Sequence, residues 1–169
     1  NALANKINDS RALITKAIQD LRDLSKSINT DNVIDSGIAS AVEYALELIR
    51  KTGEYRIEYN VSGREYRLQD QQELILFRIV QEALHNTIKH AKATQINVDI
   101  NFGPAEFALS VADNGMGLHQ TEKRNDKMRA GSGLKNMENR AKMINGTFTF
   151  TSTGKGTRIL ITLPIETTI

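Results

Sequence analysis

The 169 residues contain no cysteine and only two prolines. Without cysteine the chain can build neither a disulfide framework nor a thiolate zinc site, which fits a reducing compartment. No apolar run approaches the roughly 20 residues of a membrane-spanning helix, and no basic-then-apolar leader opens the chain. Neither sign of charge dominates: 22 Lys+Arg stand against 20 Asp+Glu, a formal net charge of +2. That balance argues against a surface built for nucleic acid. There is no internal repeat and no low-complexity tract. Hydrophobic residues make up 40% and charged residues 25%, the balance of an ordinary soluble domain, which excludes collagen-like and disordered chains. A fold of about 150 residues buries roughly 68–70% of its unfolded surface, so one self-sufficient core with an appendage is expected. Residue 1 is Asn rather than Met, and the chain reads as a piece of a longer protein.

From Asn1 to Asn29 there is neither Gly nor Pro. Leu3, Ile7, Ser10, Ile14, Ala17, Leu21, Leu24 and Ile28 alternate spacings of four and three. This is a heptad seam sustained for about four heptads, with Ser10 out of character, and it predicts one long amphipathic helix of a bundle or coiled coil. Thr30–Gly37 reads as a linker. Helical spacing resumes at Ile38, Val42, Ala45, Leu46 and Ile49 and stops at Gly53. Residues 55–61 alternate as a half-buried strand, and 71–92 form a long helix free of Gly and Pro. Two strands follow, around 96–102 and 107–111, broken at Gly103-Pro104. After an irregular stretch from Asp113 to Gly133, a helix over 134–144 stops at Asn145-Gly146. Strands at Phe148/Phe150 and Ile159/Ile161/Leu163 flank Gly154-Lys155-Gly156. Five strands with one apolar face each, covered by three helices, predict a two-layer α/β sandwich. The first helix is surplus to it.

Four places can carry chemistry. On the 71–92 helix, at about 100° per residue, Arg78, Glu82, His85, Asn86 and Lys89 share one arc. Leu76, Phe77, Val80, Ala83, Leu84, Ile88 and Ala91 lie opposite. The Asn86 amide oxygen can ligate a hard cation such as Mg²⁺, Lys89 can meet a phosphate, and Glu82 can orient or deprotonate a nucleophile. A solvated face with a charge pair three or four residues apart explains the same pattern. Asp113-Asn114-Gly115-Met116-Gly117 follows a strand. Its aspartate can accept a hydrogen bond from an amino group, and its glycines permit close approach of a ligand; an ordinary Asx turn looks alike. Gly131-Ser132-Gly133-Leu134 opens a helix and exposes backbone N–H groups to an anion. Gly154-Lys155-Gly156-Thr157 is explained by hairpin geometry alone. The polar segment 118–130 between glycines can serve as a lid or as a solvated loop.

The order of these stretches is more specific than any one of them. Glu82-x-x-x-Asn86-x-x-Lys89-His90-Ala91, Asp113-x-Gly115-x-Gly117, Gly131-x-Gly133-Leu134-x-Asn136-Met137 and Gly154-x-Gly156-Thr157 resemble the N, G1 and G2 boxes and the final glycine turn of sensor histidine kinase ATP-binding domains. That domain belongs to the Bergerat ATPases, with Hsp90, gyrase and MutL. The phrase Arg78-Ile79-Val80-Gln81-Glu82-Ala83-Leu84 before Asn86 resembles the subfamily paired with NarL/LuxR-type response regulators. Leu21-Arg22-Asp23-Leu24-Ser25 resembles the second helix of that subfamily's dimerisation and phosphoacceptor hairpin. The resemblance implies a truncated hairpin helix over 1–30 and an ATP-binding catalytic domain over 31–169. It implies ATP and Mg²⁺ as cofactors and γ-phosphoryl transfer as the reaction. Residue by residue, Asn86 would ligate Mg²⁺, Glu82 would assist the attacking group, and Lys89 and His90 would face the phosphates. Asp113 would hold the adenine amine, Gly115 and Gly117 would shape the pocket, and Thr157 would lie near the base. Gly131, Ser132, Gly133 and Leu134 would wrap the phosphates, under a lid formed by 118–130.

Two departures stand out. None of His85, His90 and His119 sits in a phosphoacceptor context, so the chain is expected to bind ATP without phosphorylating itself on its proper site. His85 also stands where the family often has a smaller or amide residue. The implied partners are the protein's own phosphoacceptor helix, a response regulator and a second copy in the full-length protein. Nucleic acid is not expected, nor direct membrane contact from these residues. The implied location is cytoplasmic, with a membrane-anchored parent. Two other classes compete: a Bergerat switch or anti-sigma-type serine kinase, and a degenerate docking module that binds no nucleotide.

Overall fold

A computed structural model of the chain describes Val33, residues 35–117 and residues 127–165, with only the backbone of 127–132. The heptad helix expected over 1–29, the 30/31 domain boundary and residues 118–126 of the expected lid lie outside the described residues. The described part is a two-layer α/β sandwich, as the alternation of apolar positions predicts.

The first described helix, α1, spans 35–50, so helical structure already covers the end of the segment expected to be a linker. It closes as its glycine foretells: Gly53 takes φ +74° and its N–H donates to the Arg50 carbonyl at 3.1 Å. Strand β1 (Arg56–Gly63) leads to helix α2 (Asp70–Asn86), then to a single π-helical turn (Thr87–Ala91). Strands β2 (Gln95–Phe102) and β3 (Glu106–Asp113) come next, followed by helix α3 (Lys127–Met143) and strands β4 (Thr147–Thr153) and β5 (Gly156–Pro164). The sheet order is β1-β2-β3-β5-β4. Only the β1–β2 pair is parallel, since α2 carries the chain across between those two strands; β2–β3 and β4–β5 are antiparallel hairpins, and β5 pairs antiparallel with β3 after the excursion through α3 and β4.

The core lies between this sheet and the three helices. Ile96, Val98 and Ile100 of β2, Phe107 and Leu109 of β3, and Ile161 and Leu163 of β5 are buried. They meet Val42 and Leu46 of α1, Leu76, Ile79 and Val80 of α2, and Met137 and Ala141 of α3. Tyr66, Phe102 and Phe107 stack edge-on in sequence, with ring centroids 5.2 Å apart in each pair.

Helix α3 departs from expectation. It begins at Lys127, not at the Gly131-Ser132-Gly133 run. Lys127-Met128-Arg129-Ala130 are all strong helix formers and start the helix earlier. Gly131 and Gly133 therefore fall after the four N–H groups that a helix leaves unpaired at its start, and their N–H groups are not the free helix-end donors the sequence suggested. At its other end α3 stops where expected, with Asn145 at φ +56° and the Gly146 N–H on the Ala141 carbonyl at 2.8 Å.

An ion pair to a buried carboxylate anchors α2. Glu73 is fully buried; its carboxylate accepts Arg67 Nε at 3.1 Å, Arg67 Nη2 at 3.0 Å and the Leu68 N–H at 3.1 Å. Removing the arginine would strand the carboxylate in the core. Arg67→Ala is expected to lower stability by about 1–3 kcal/mol, discounted because the Arg67 side chain is itself half exposed. Thermal melting with Arg67→Ala beside Arg67→Lys checks this; an unchanged melting temperature in both would contradict it.

Candidate nucleotide-binding site

The site forms where the C-terminal end of α2 meets the loop after β3 and the β4–β5 turn. Antiparallel register puts Asp113, the last residue of β3, directly opposite Thr157 of β5. The Thr157 hydroxyl donates to Asp113 Oδ2 in a short hydrogen bond. The Thr87 hydroxyl reaches the same oxygen at 3.2 Å, and the Gly115 N–H donates to Oδ1 at 2.8 Å. Donors from three separate elements thus converge on one carboxylate.

The loop after β3 is pinned to the end of α2. The Met116 N–H donates to the Ala91 carbonyl at 2.9 Å. Asn114 Oδ1 accepts the N–H groups of Thr94 and Gln95, both at 2.9 Å. Gly117 has φ +66°, and a Cβ there would run into the Thr153 carbonyl oxygen. Gly117 is therefore set by the approach of β4, and Gly115 by the approach of Ala91.

The second part of the site lies on the outward face of α2. A Cβ on Gly133 of α3 would come within 2.8 Å of Glu82 Oε1 and 3.7 Å of Asn86 Nδ2. Glu82, Asn86 and Gly133 are therefore neighbours, all half-buried, as the box pattern implies. Leu134, next in α3, packs against the core. Further along the same two helices, Arg78 loses some of its usual basicity, first through burial and then through the charge of Arg140. Lys89 and His90 are exposed on the π turn, and His85 is exposed on α2. Gly131 and Ser132 lie in the backbone of α3.

Two features depart from the helical wheel. Ile88, expected on the apolar side, is 45% exposed. At about 100° per residue it lies at the edge of the apolar arc, next to the exposed His85. Thr87, assigned no role from the sequence, is buried and touches Asp113. Its signal was available: at α-helical spacing Thr87 falls in line with Leu76, Val80 and Ala83, so a hydroxyl sits in an apolar stripe. Glu73 carries the same signal at the start of the stripe.

Among the described residues no group of three or more His, Cys, Asp or Glu side chains is placed to hold a metal. A single half-buried amide still suits Mg²⁺, which keeps several waters and takes substrate phosphates as ligands, and Asn86, near the Cβ-free Gly133, is such an amide. No described helix is long and apolar enough to cross a membrane.

A strand-end carboxylate held by Thr87, Thr157 and Gly115, and Glu82 and Asn86 set against Gly133 of the neighbouring helix, sit on one two-layer α/β domain. Residues 71–167 match the family described as histidine kinase-, DNA gyrase B- and HSP90-like ATPase, and the chain belongs to that family. It is 30% identical over 163 residues to the signal transduction histidine-protein kinase/phosphatase DegS of Brevibacillus brevis, covering 96% of this chain and 41% of that protein. It is 27% identical over 154 residues to the oxygen sensor histidine kinase NreB of Staphylococcus carnosus (strain TM300), covering 90% of this chain and 44% of that protein. The chain thus spans less than half the length of these relatives. In fold it is similar to the Acinetobacter baumannii histidine kinase AdeS, with TM-score 0.63 at 12% identity over 93% of this chain and 84% of that one. It is also similar to the histidine kinase domain of a blue-light activated kinase from Erythrobacter litoralis EL346, with TM-score 0.61 at 16% identity over 75% and 64%.

Proposed function

We propose that this chain is the catalytic part of a two-component sensor histidine kinase, of the subfamily paired with NarL/LuxR-type response regulators. It binds Mg-ATP and passes the γ-phosphoryl group to a histidine other than His85, His90 and His119, for relay to a response-regulator aspartate. The observation that carries this reading is the half-buried Asp113 carboxylate held by donors from three elements, with Glu82 and Asn86 set against Gly133. Membership of an ATPase family whose matched relatives bear kinase names supports it and does not favour the serine-kinase, switch or docking-module readings.

In this reading Asp113 accepts from the exocyclic amine of the base, and Thr157 stands beside it. Asn86 holds the metal, whose positive charge screens the phosphates. Lys89 and His90 lie on the side from which phosphates approach, and Gly131, Ser132, Gly133 and Leu134 border them. Glu82 takes the proton from the far ring nitrogen of the attacking imidazole as the unprotonated nitrogen forms a new P–N bond and the bond to the ADP oxygen breaks. Such a transfer depends mainly on positioning and charge stabilisation. The segment 1–30 supplies a hairpin helix to a dimeric bundle, and 118–130 acts as the lid. The domain works in the cytoplasm of a membrane-anchored parent, with the acceptor helix, a second copy and a response regulator as partners.

The test is a thermal-shift titration with ADP or ATP, with and without Mg²⁺, run beside Asn86→Ala. Ligand at about 100 times Kd stabilises by roughly 2.7 kcal/mol, on the order of 5–11 °C for a domain of this size. Asn86→Ala should lose the part of the shift that needs Mg²⁺ and keep the rest. No shift at millimolar nucleotide would overturn the reading.

A further inference from the structure

The Thr87 hydroxyl has one hydrogen and two acceptors at equal distance: the Ala83 carbonyl and Asp113 Oδ2, both at 3.2 Å. The Ala83 carbonyl already receives the Thr87 backbone N–H. A bond to a carboxylate is charge-assisted and the stronger of the two, so the hydroxyl hydrogen goes to Asp113.

Oδ2 then holds two hydroxyl donors, from Thr87 and Thr157. Oδ1 holds one donor, the Gly115 N–H. A carboxylate offers about four acceptor positions, so the unfilled one on the more lightly used oxygen is Oδ1's. The donors come from the end of α2, from β5 and from the loop after β3, and together they fix the rotation of the carboxylate about its Cβ–Cγ bond. Thr87 is buried at the first position of the π turn, so its hydroxyl has no competing bulk water. The same turn carries Ala91, whose carbonyl anchors Met116, so the π turn fixes both the carboxylate and the loop behind it.

We propose that Thr87 is a positioning residue for base selection: its hydroxyl holds the Asp113 carboxylate so that the open acceptor on Oδ1 takes a purine with an amino group at C6 and rejects one with a carbonyl there. This rests on the nucleotide reading above. A 6-oxo purine sets its own acceptor against an acceptor-only group, leaving both unpaired, which is the kind of mismatch that gives strong discrimination. A carboxylate freed from Thr87 can turn, and discrimination falls with the loss of alignment.

The experiment is calorimetric titration of ADP and of inosine diphosphate, which differ at C6, into the whole 169-residue chain and into Thr87→Val and Thr87→Ser. Thr87→Val keeps the branched shape and removes only the hydroxyl; melting of each ligand-free variant confirms that it is folded. The expected result is a preference for ADP in the unaltered chain that falls roughly three- to tenfold in Thr87→Val, the size of one modest hydrogen-bond contribution. Thr87→Ser should keep most of the preference. An unchanged ADP/IDP ratio in Thr87→Val overturns the inference. So does equal weakening of both nucleotides in both variants, because it makes Thr87 a packing residue only. Failure of the unaltered chain to bind either nucleotide overturns the nucleotide reading and the inference with it, and is distinguished by occurring without any substitution.

Discussion

Asp113→Ala is expected to reduce ADP affinity about 100-fold, the upper part of the range for one hydrogen bond to a charged group, and to destabilise the free domain. The ligand amine loses its acceptor, and the Thr87 hydroxyl, the Thr157 hydroxyl and the Gly115 N–H that now share the carboxylate lose theirs. The second effect acts without ligand. Thr87 is buried and Thr157 half-buried, so water replaces only part of what is removed. The ligand-free domain should lose about 2–4 kcal/mol, or roughly 4–16 °C in melting temperature. Asp113→Asn separates the two effects. The amide keeps the shape and one acceptor oxygen, so most of the stability should return while affinity stays low. Calorimetry with ADP and thermal melting, applied to both variants, check this. Near-normal affinity in Asp113→Asn would show that the charge and the second oxygen are dispensable.

Gly156→Ala is expected to be the most destabilising small substitution in the site. Gly156 has φ +135°, a region that residues with a Cβ rarely enter. A Cβ there would also run into the Asp113 carbonyl oxygen, which is backbone and cannot swing aside. Strain and clash together should remove about 3–5 kcal/mol. Nucleotide affinity should fall as well, because the displaced atoms belong to Asp113 itself. Gly154→Ala, two residues earlier in the same hairpin, is the control. A Cβ on Gly154 meets nothing within 4 Å, and its effect should stay within about 0.5 kcal/mol. Melting of the two variants side by side gives the answer; equal stability would mean the β4–β5 turn adapts and does not constrain Asp113.

Much of this protein could be read directly from residue order. The five strands, α2 and the C-terminal ends of α1 and α3 follow from apolar periodicity and from residues that stop helices. A half-buried strand repeats every two residues and a covering helix every 3.6. Asp113, Gly115, Gly117 and Thr157 were expected around one pocket, and Glu82 and Asn86 on one helix face, because the boxes keep their spacing and order. The structure brings Asp113 and Thr157 into hydrogen-bonding contact, with Gly115 bonded to the same carboxylate, and sets Gly133 against Glu82 and Asn86.

What local pattern could not supply was set by contacts between distant segments. The start of α3 at Lys127 was missed because the glycine run resembled a helix boundary, while the four residues before it favour helix strongly enough to begin it. Ile88 lies at the rim of the apolar arc, and whether a rim position is covered depends on what packs beside it; here it stays 45% exposed. Gly156 looked like an ordinary hairpin glycine until β3–β5 register placed the Asp113 carbonyl against it. Thr87 and Glu73 were polar residues in an apolar stripe, each with a partner outside its own helix: Asp113, 26 residues on, and Arg67, in the loop before it. The layers, the order of the elements and the chemical groups available follow from short-range periodicity and residue type, so residue order suffices for them. Which donors hold the Asp113 carboxylate and which glycines are indispensable follow from burial and antiparallel register, which bring together atoms that no local pattern pairs.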